Sequence, residues 1–316
     1  MPQPLLEVRN LKKYFHVPQG TLTAVDDISF TIEPGKTLGI VGESGCGKTT
    51  TGRAILRLIE PTAGEIIFDG QDIMKLKKRE LYQMRRHMQL IFQDPFSSLN
   101  PRKTILETIE EPIILSKLIP DGDKRFMRVL ELMETVGLAE RLINAYPHEL
   151  DGGRRQRIGI ARALAVNPRF IVCDEPVSAL DVSIQAQILN LMKKIQNDMG
   201  ITYIFITHDL SVVNHFSDDI LVMYLGRLVE KAPAEELFQN PLHPYTKALL
   251  SAIPVARIHD RPKRILLHGE ITSPINPDPV CRFAGRCDAC QDICNKQEPA
   301  LVMASPDHYV ACHRAI

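Results

Sequence analysis

The chain has 316 residues, enough for one large α/β domain with an appendage or for two domains, and ample for a buried core. Lys+Arg and Asp+Glu each number 38, so the formal net charge is zero, which argues against a basic nucleic-acid-binding face. No apolar run approaches the roughly 20 residues a membrane helix needs, and Met1-Pro2-Gln3-Pro4 has no signal-peptide pattern, so a cytosolic chain is expected unless a partner holds it at a membrane.

Residues 5–9, Leu-Leu-Glu-Val-Arg, read as an edge strand, and Tyr14 and Phe15 follow. Either aromatic packs in its strand or offers a stacking face to a planar base. Residues 22–33 alternate as a strand and turn at Glu33-Pro34-Gly35. Thr37 to Val41 is a buried strand, and Thr50 to Leu58 is helical. Between them, Gly42-Glu43-Ser44-Gly45-Cys46-Gly47-Lys48-Thr49 completes the pattern G-x-x-x-x-G-K-[ST], and the strand–loop–helix context identifies a phosphate-binding loop. Its glycines let successive backbone N–H groups turn inward, and the helix N-terminus adds partial positive charge. Lys48 is expected to reach β- and γ-phosphates and Thr49 to offer a hydroxyl to Mg²⁺.

Glu65 to Phe68 is a strand closing on an Asp69-Gly70 turn. Residues 76–88 are basic and helical and read as a solvated face. Met88 to Gln93 is a strand ending on Gln93, followed by a proline-containing loop from Asp94 to Pro101. Residues 104–145 have helical periodicity, with Leu130, Met133, Val136 and Leu138 near one face. The run Glu149 to Arg157 opens another helix through Ala165. Phe170 to Glu175 is a short apolar strand delivering two carboxylates at its C-terminal end, where open α/β sheets bind ligands. Ser178 to Asp181 is a turn, residues 182–199 form an amphipathic helix, and Thr202 to Ile206 is a buried strand ending at Thr207-His208-Asp209. Strands at 220–225 and 227–231 flank Gly226. Beyond about residue 236 the composition changes: seven prolines fall between Pro254 and Pro306, and five of the seven cysteines lie between Cys281 and Cys312.

The phosphate loop, Gln93, Asp174-Glu175 and His208 all stand at strand ends, so a sheet edge could gather them around a nucleotide. Asp174 would hold Mg²⁺, Glu175 is the candidate base for an attacking water, and Gln93 and His208 could orient that water. In order and spacing the chain resembles the ATP-binding cassette ATPases. Gly42–Thr49 matches Walker A, Gln93 the Q-loop, Leu150-Asp151-Gly152-Gly153-Arg154 the signature, Phe170–Glu175 Walker B, Ser178–Asp181 the D-loop and His208 the switch histidine. Phe96-Ser97-Ser98-Leu99-Asn100-Pro101-Arg102, Asn240-Pro241-Leu242-His243-Pro244-Tyr245 and the terminal cysteines are similar to the dipeptide/oligopeptide importer branch of that family.

The resemblance implies an α/β fold: a P-loop ATPase core combining a parallel sheet with an antiparallel β part, a helical subdomain near 94–165 within a cassette domain of 1–235, and a C-terminal module over 236–316. It implies ATP and Mg²⁺. Phe15 would take the adenine. Gly42, Ser44, Gly45, Cys46, Gly47, Lys48, Thr49 and Thr50 would take the phosphates, and Thr49, Gln93 and Asp174 the Mg²⁺. Asp151, Gly152 and Gly153 would face a partner's nucleotide, and Asp181 belongs to the D-loop. Cys46 and Cys173 read as small apolar residues, and His243 and Tyr245 as packing between helix and loop. The implied activity is ATP hydrolysis powering peptide import at the cytoplasmic face of a membrane, with two separate permease subunits and an external binding protein. Nickel or other solute importers share the pattern, and a soluble cassette protein is the alternative outside transport.

The family's usual signature is Leu-Ser-Gly-Gly-Gln, and here aspartate replaces the serine. In such ATPases the signature of one cassette caps the nucleotide on the other. A carboxylate there opposes a triphosphate. Alternatively Asp151 turns to its own helix amides or to Arg154 as an N-cap. The repulsive reading implies a heterodimer with a second ATPase subunit, in which one site is competent and the other degenerate. Cys281-x5-Cys287-x6-Cys294-x17-Cys312 resembles the family's iron–sulfur set. Four thiolates suit [4Fe–4S] or Zn²⁺, Cys290 being a fifth that makes a Cys287-x2-Cys290 pair, and metal-free thiols are the other possibility.

Overall fold

The computed structural model describes residues 3–94, 98–253, 264–269 and 273–315. Pro95, Phe96, Ser97, Pro254 and Pro262, which figure in the readings above, lie outside them. The chain forms two compact units, one of residues 1–32, 37–74 and 206–316, the other of 33–36 and 75–205.

The first unit holds two sets of strands. β1 (Leu6–Val17) and β2 (Gly20–Ile32) pair antiparallel, Leu6 opposite Ile32 and Phe15 opposite Leu22. β3 (Thr37–Val41) is buried at all five positions. It leads through the phosphate loop into α1 (Lys48–Ile55). β4 (Ala63–Phe68) and β5 (Gln71–Asp72) complete an antiparallel sheet of order β2-β1-β4-β5. The expected edge strand is therefore an inner strand, since Leu6 also faces Phe68 of β4. Leu6 and Val8 are buried while Glu7 and Arg9 are not. That alternation follows from one packed face and does not distinguish edge from interior.

The second set in this unit contains β9 (Asp219–Tyr224), β10 (Arg227–Pro233), β11 (Val302–Ser305) and β12 (His308–Val310), in the order β11-β12-β10-β9-β3. β3 and β9 are parallel, with Val41 beside Val222, and β12 lays Val310 antiparallel against Glu230 of β10. α7 (Leu210–Phe216), α8 (Ala234–Gln239) and α9 (Pro244–Ser251) belong to the same unit.

In the second unit, β6 (Met88–Ile91), β7 (Phe170–Asp174) and β8 (Thr202–Ile206, its last residue assigned to the first unit) lie in the order β8-β7-β6, with β6 and β7 parallel. Every residue of β7 and β8 is buried, as continuous apolar runs in a parallel sheet require. The helices are α2 (Lys78–Met84), α3 (Ile105–Ser116), α4 (Gly122–Thr135), α5 (Gly152–Leu164) and α6 (Val182–Met199). α3 starts at a capping box between Thr104 and Glu107, and α4 and α5 at aspartate caps. Parallel strands combined with an antiparallel sheet and flanking helices match the expected α/β class.

Candidate nucleotide site

The phosphate loop begins where β3 ends. Gly47 is the N-cap of α1, at φ +105°, and a Cβ there would stand 2.1 Å from the Ala24 carbonyl oxygen. Backbone strain and close approach both demand glycine. Gly45, at φ +80°, has nothing within 4 Å of a Cβ position, so the loop is open on that side. No side chain caps α1, which leaves its N-terminus suited to an anion. Lys48 is buried, and its Nζ donates to the carbonyls of Gly42 at 2.8 Å and Glu43 at 3.0 Å. Ser44 is exposed, and Thr49 and Thr50 are half-buried. Cys46 is buried, its thiol pushed up by burial, and its carbonyl accepts from the Gly226 N–H at 2.9 Å, in keeping with a small apolar residue. The open cradle, uncapped helix and inward lysine fit a magnesium–nucleotide polyphosphate.

The two upstream aromatics separate in role. Tyr14 donates its hydroxyl to Asp26 Oδ1 at 2.5 Å, and burial together with that carboxylate pushes the phenol up to about 12. Burial alone would raise the Asp26 carboxyl, but the Tyr14 hydroxyl, Arg227 and Arg282 hold it below the ordinary value. Phe15 has no polar group to anchor it and is half-buried, with Lys13 Nζ 4.7 Å from its ring centroid. His208 is exposed just beyond β8, and Asp209 caps α7 by accepting from the Ser211 N–H.

In the second unit, Asp174 ends β7 with only 2% of its surface exposed. Glu175 follows at φ +48°, a left-handed conformation that is uncommon for a residue with a Cβ and recurs at functional sites. Gln93 Nε2 donates to Glu175 Oε2 at 2.9 Å, so two of the predicted residues meet although 82 positions apart. Ser178 Oγ donates to the Glu175 carbonyl, and Gln185 Nε2 donates to the carbonyls of Val177 and Leu180, tying down the following turn. Asp181 closes that turn by capping α6 at the Ile184 N–H. Asp151 caps α5, accepting from the Arg154 N–H at 2.8 Å, with its other oxygen 3.5 Å from Arg154 Nε. A Cβ at Gly153 would stand 2.7 Å from Ile184 Cγ2, so that side chain would have to shift, whereas one at Gly152 would stand 3.1 Å from the flexible end of Leu180 at Cδ2.

Two residues read only as packing or not singled out at all touch the phosphate loop. The Glu43 N–H donates to the Tyr245 hydroxyl at 2.8 Å, and Arg286 grips the Glu43 carboxylate with both Nη atoms. The available signal was a tyrosine in an apolar setting, whose hydroxyl needs a partner once buried.

The cysteine module requires a correction. Among the described residues, which include all seven cysteines, no group of three or more His, Cys, Asp or Glu is placed to hold a metal ion. The expected [4Fe–4S] cluster, the Zn²⁺ alternative and the metal-binding role of Cys281, Cys287, Cys294 and Cys312 are not supported. Those four thiols line a cavity of about 20 Å³, room for roughly one water. Burial pushes the Cys281 thiol up to about 11 and raises that of Cys287. Cys281 and Cys294 are joined through the backbone, the Cys281 N–H donating to the Cys294 carbonyl, and Cys290 is exposed, with its Sγ accepting from Asn295 Nδ2.

Comparison with known proteins agrees with the geometry of the loop. Residues 25–178 match the ABC transporter family, and residues 229–294 match the oligopeptide/dipeptide transporter C-terminal region. The oligopeptide transport ATP-binding protein AppF of Bacillus subtilis (strain 168) is 50% identical over 98% of this chain and 97% of its own length. OppF of the same organism is 59% identical over 81% of this chain and 84% of its own. Among solved structures, the dimeric ATP-binding cassette MJ0796 bound to ADP and Pi covers 72% of this chain and 98% of its own, at TM-score 0.67 and 33% identity. CbiO1 from Clostridium perfringens, part of the transporter complex cbiONQ, covers 76% of this chain and 92% of its own, at TM-score 0.68 and 27% identity. With an open phosphate cradle and full-length relatives at this identity, the chain belongs to the oligopeptide transport ATP-binding proteins of the ABC transporter family.

Proposed function

We propose that the chain hydrolyses MgATP to power the import of peptides through a membrane complex whose permease subunits are separate chains. The observation that carries this reading is the phosphate loop, an open glycine cradle on an uncapped helix with Lys48 turned into it, in a chain that matches peptide-importer ATPases over nearly its whole length. Among the described residues no helix is long and apolar enough to cross a membrane, so the translocation path is assigned to partners. The chain would sit peripherally at the cytoplasmic face, against two permeases served by an external binding protein.

Within the site, Lys48 and the loop amides from Ser44 to Thr50 bind the phosphates, and Phe15 stacks on the adenine. Thr49, Asp174 and Gln93 would hold Mg²⁺, which when bound neutralises charge on the β- and γ-oxygens. Glu175 takes the proton of the attacking water, Gln93 fixes the position of that carboxylate, and His208 orients the γ-phosphate. The Gln93–Glu175 hydrogen bond supports this division, because a base must be held where the water sits. Glu175→Gln keeps MgATP binding and lowers turnover by about 100-fold or more in the reconstituted importer. Turnover within a few-fold of the parent would remove Glu175 from the mechanism.

We also assign the active assembly as a heterodimer with a second ATPase subunit. Asp151 puts a carboxylate, 61% exposed, at the signature helix where the family's pattern has a serine hydroxyl. Its bonds to the Arg154 N–H and guanidinium satisfy one face of the group but leave the negative charge beside the capping glycines. The site built from this chain's phosphate loop and the partner's signature is then the competent one. Replacing Glu175 abolishes most turnover of the heterodimer, and replacing the partner's equivalent glutamate leaves most of it. Equal losses from the two replacements refute the asymmetry.

A further inference from the structure

The contact between the C-terminal region and the phosphate loop lies wholly within the first unit. Glu43 is the second residue of the loop. Its N–H donates to the hydroxyl of Tyr245, which is fully buried in α9. Its carboxylate receives Arg286 in a two-pronged pair, Nη1 to Oε2 at 2.7 Å and Nη2 to Oε1 at 3.1 Å, with side chains 10% and 25% exposed for arginine and glutamate. Arg286 is fixed in turn by Nε donating to the His268 carbonyl at 3.3 Å. Tyr245 is fixed by its edge contact with Tyr224, ring centroids 4.8 Å apart, and by Phe283 at 5.5 Å. Tyr245 and Arg286 both fall within residues 229–294 and reach the loop across 202 and 243 positions of chain.

A carboxylate in a phosphate-binding loop opposes the charge the loop exists to hold, so here it is paired with a cation. The Glu43 N–H is spent on Tyr245, so this loop residue is held as part of the wall. We infer that Tyr245 and Arg286 are positioning residues for nucleotide binding: Arg286 cancels the Glu43 carboxylate and, with Tyr245, sets the backbone of the phosphate loop, so that the C-terminal region governs affinity for the nucleotide. Partly buried charges are screened weakly by salt, so the Glu43 carboxylate would be felt in the neighbouring cradle if Arg286 did not cancel it. The inference rests on the nucleotide-binding reading of this loop and adds the residues that tune it.

The test uses the full chain and equilibrium titration with a fluorescent ATP analogue and Mg²⁺. Arg286→Ala weakens binding about tenfold, because the Glu43 charge is left facing the phosphates. Glu43→Gln binds at least as tightly as the parent, since it removes the repulsive charge and leaves the cation. The double variant R286A/E43Q returns to within about twofold of the parent, a rescue that a merely structural arginine does not give. Tyr245→Phe, which loses only the hydroxyl, weakens binding about threefold by freeing the Glu43 N–H. Circular dichroism checks that each variant is folded. If R286A fails to fold, the sign of the E43Q effect still decides, because tenfold weaker binding by E43Q overturns the inference. Unchanged binding by R286A, or a double variant as weak as R286A, overturns it equally. A parent chain that binds no nucleotide refutes the reading of the loop itself, a result distinct from any pattern among the variants.

Discussion

His243 makes the docking of the C-terminal region acid-sensitive by an amount the structure allows one to work out. The residue is 2% exposed and caps α9, its Nδ1 accepting from the Tyr245 backbone N–H at 3.1 Å, and its backbone N–H donates to Glu230 Oε2 at 3.0 Å. Burial, with a smaller push from Lys247, lowers the imidazole from 6.5 to about 4. Nδ1 must be unprotonated to accept, so protonation both charges a dry site and destroys the cap. The sign follows from a depressed folded value: the stabilisation is complete above pH 6.5 and is lost as pH falls through about 4. At 1.36 kcal/mol per unit, the loss relative to pH 8 reaches about 2 kcal/mol at pH 5 and about 3 kcal/mol at pH 4. The comparison is with His243→Asn, which can cap without titrating. Urea unfolding followed by circular dichroism at pH 8 and pH 5 gives the stability of each chain, and the parent is expected to lose about 2 kcal/mol more than the variant over that interval. An equal loss in both chains would falsify the assignment, because every other titrating group is common to the two.

Other replacements test other parts of the molecule. Gly47→Ala forces a Cβ toward the Ala24 carbonyl at φ +105°, and is expected to cost about 2 kcal/mol or more in urea unfolding and to abolish binding of fluorescent ATP. Asp151→Ala removes a helix cap and costs about 1 kcal/mol, whereas Asp151→Ser keeps the cap, unfolds within about 0.5 kcal/mol of the parent and raises turnover of the heterodimer. A D151S complex no faster than the parent places the turnover limit elsewhere. Glu230 is fully buried against His308 Nε2 at 2.7 Å and accepts from the N–H groups of Leu242 and His243. Glu230→Ala strands those partners and is expected to cost about 3 kcal/mol, read as a lowered urea midpoint.

Local chemistry was legible in the sequence and distant pairing was not. Thr37–Val41 followed by the phosphate loop and α1, and the apolar run into Asp174 and Glu175, each declare themselves within a dozen residues, because strand burial, glycine geometry and helix starts are local properties. The inner position of β1 was hidden, since a half-buried alternation looks the same with one neighbour or two. Asp151 admitted two readings, and its capping bond to Arg154 is the one visible in the isolated chain. The partners of Glu43 lie more than 200 positions away, and nothing in the sequence around Tyr245 or Arg286 points back to the loop. Cysteine spacing misled because it counts residues: four of the thiols come to line one small cavity, yet among the described residues no group of three is placed to hold a metal ion.

The strand β12 has a practical meaning for handling this protein. It covers one side of β10, with Val310 and Tyr309 paired to Glu230 and Lys231. A chain shortened to its ATP-binding part by stopping after β10 would bare those ladder groups as a template for intermolecular pairing. It would also strip His308 from a carboxylate that has no access to water. Such a fragment is expected to precipitate or self-associate, and a charged or proline-bearing replacement along β10 would be the remedy to try before judging the fragment inactive.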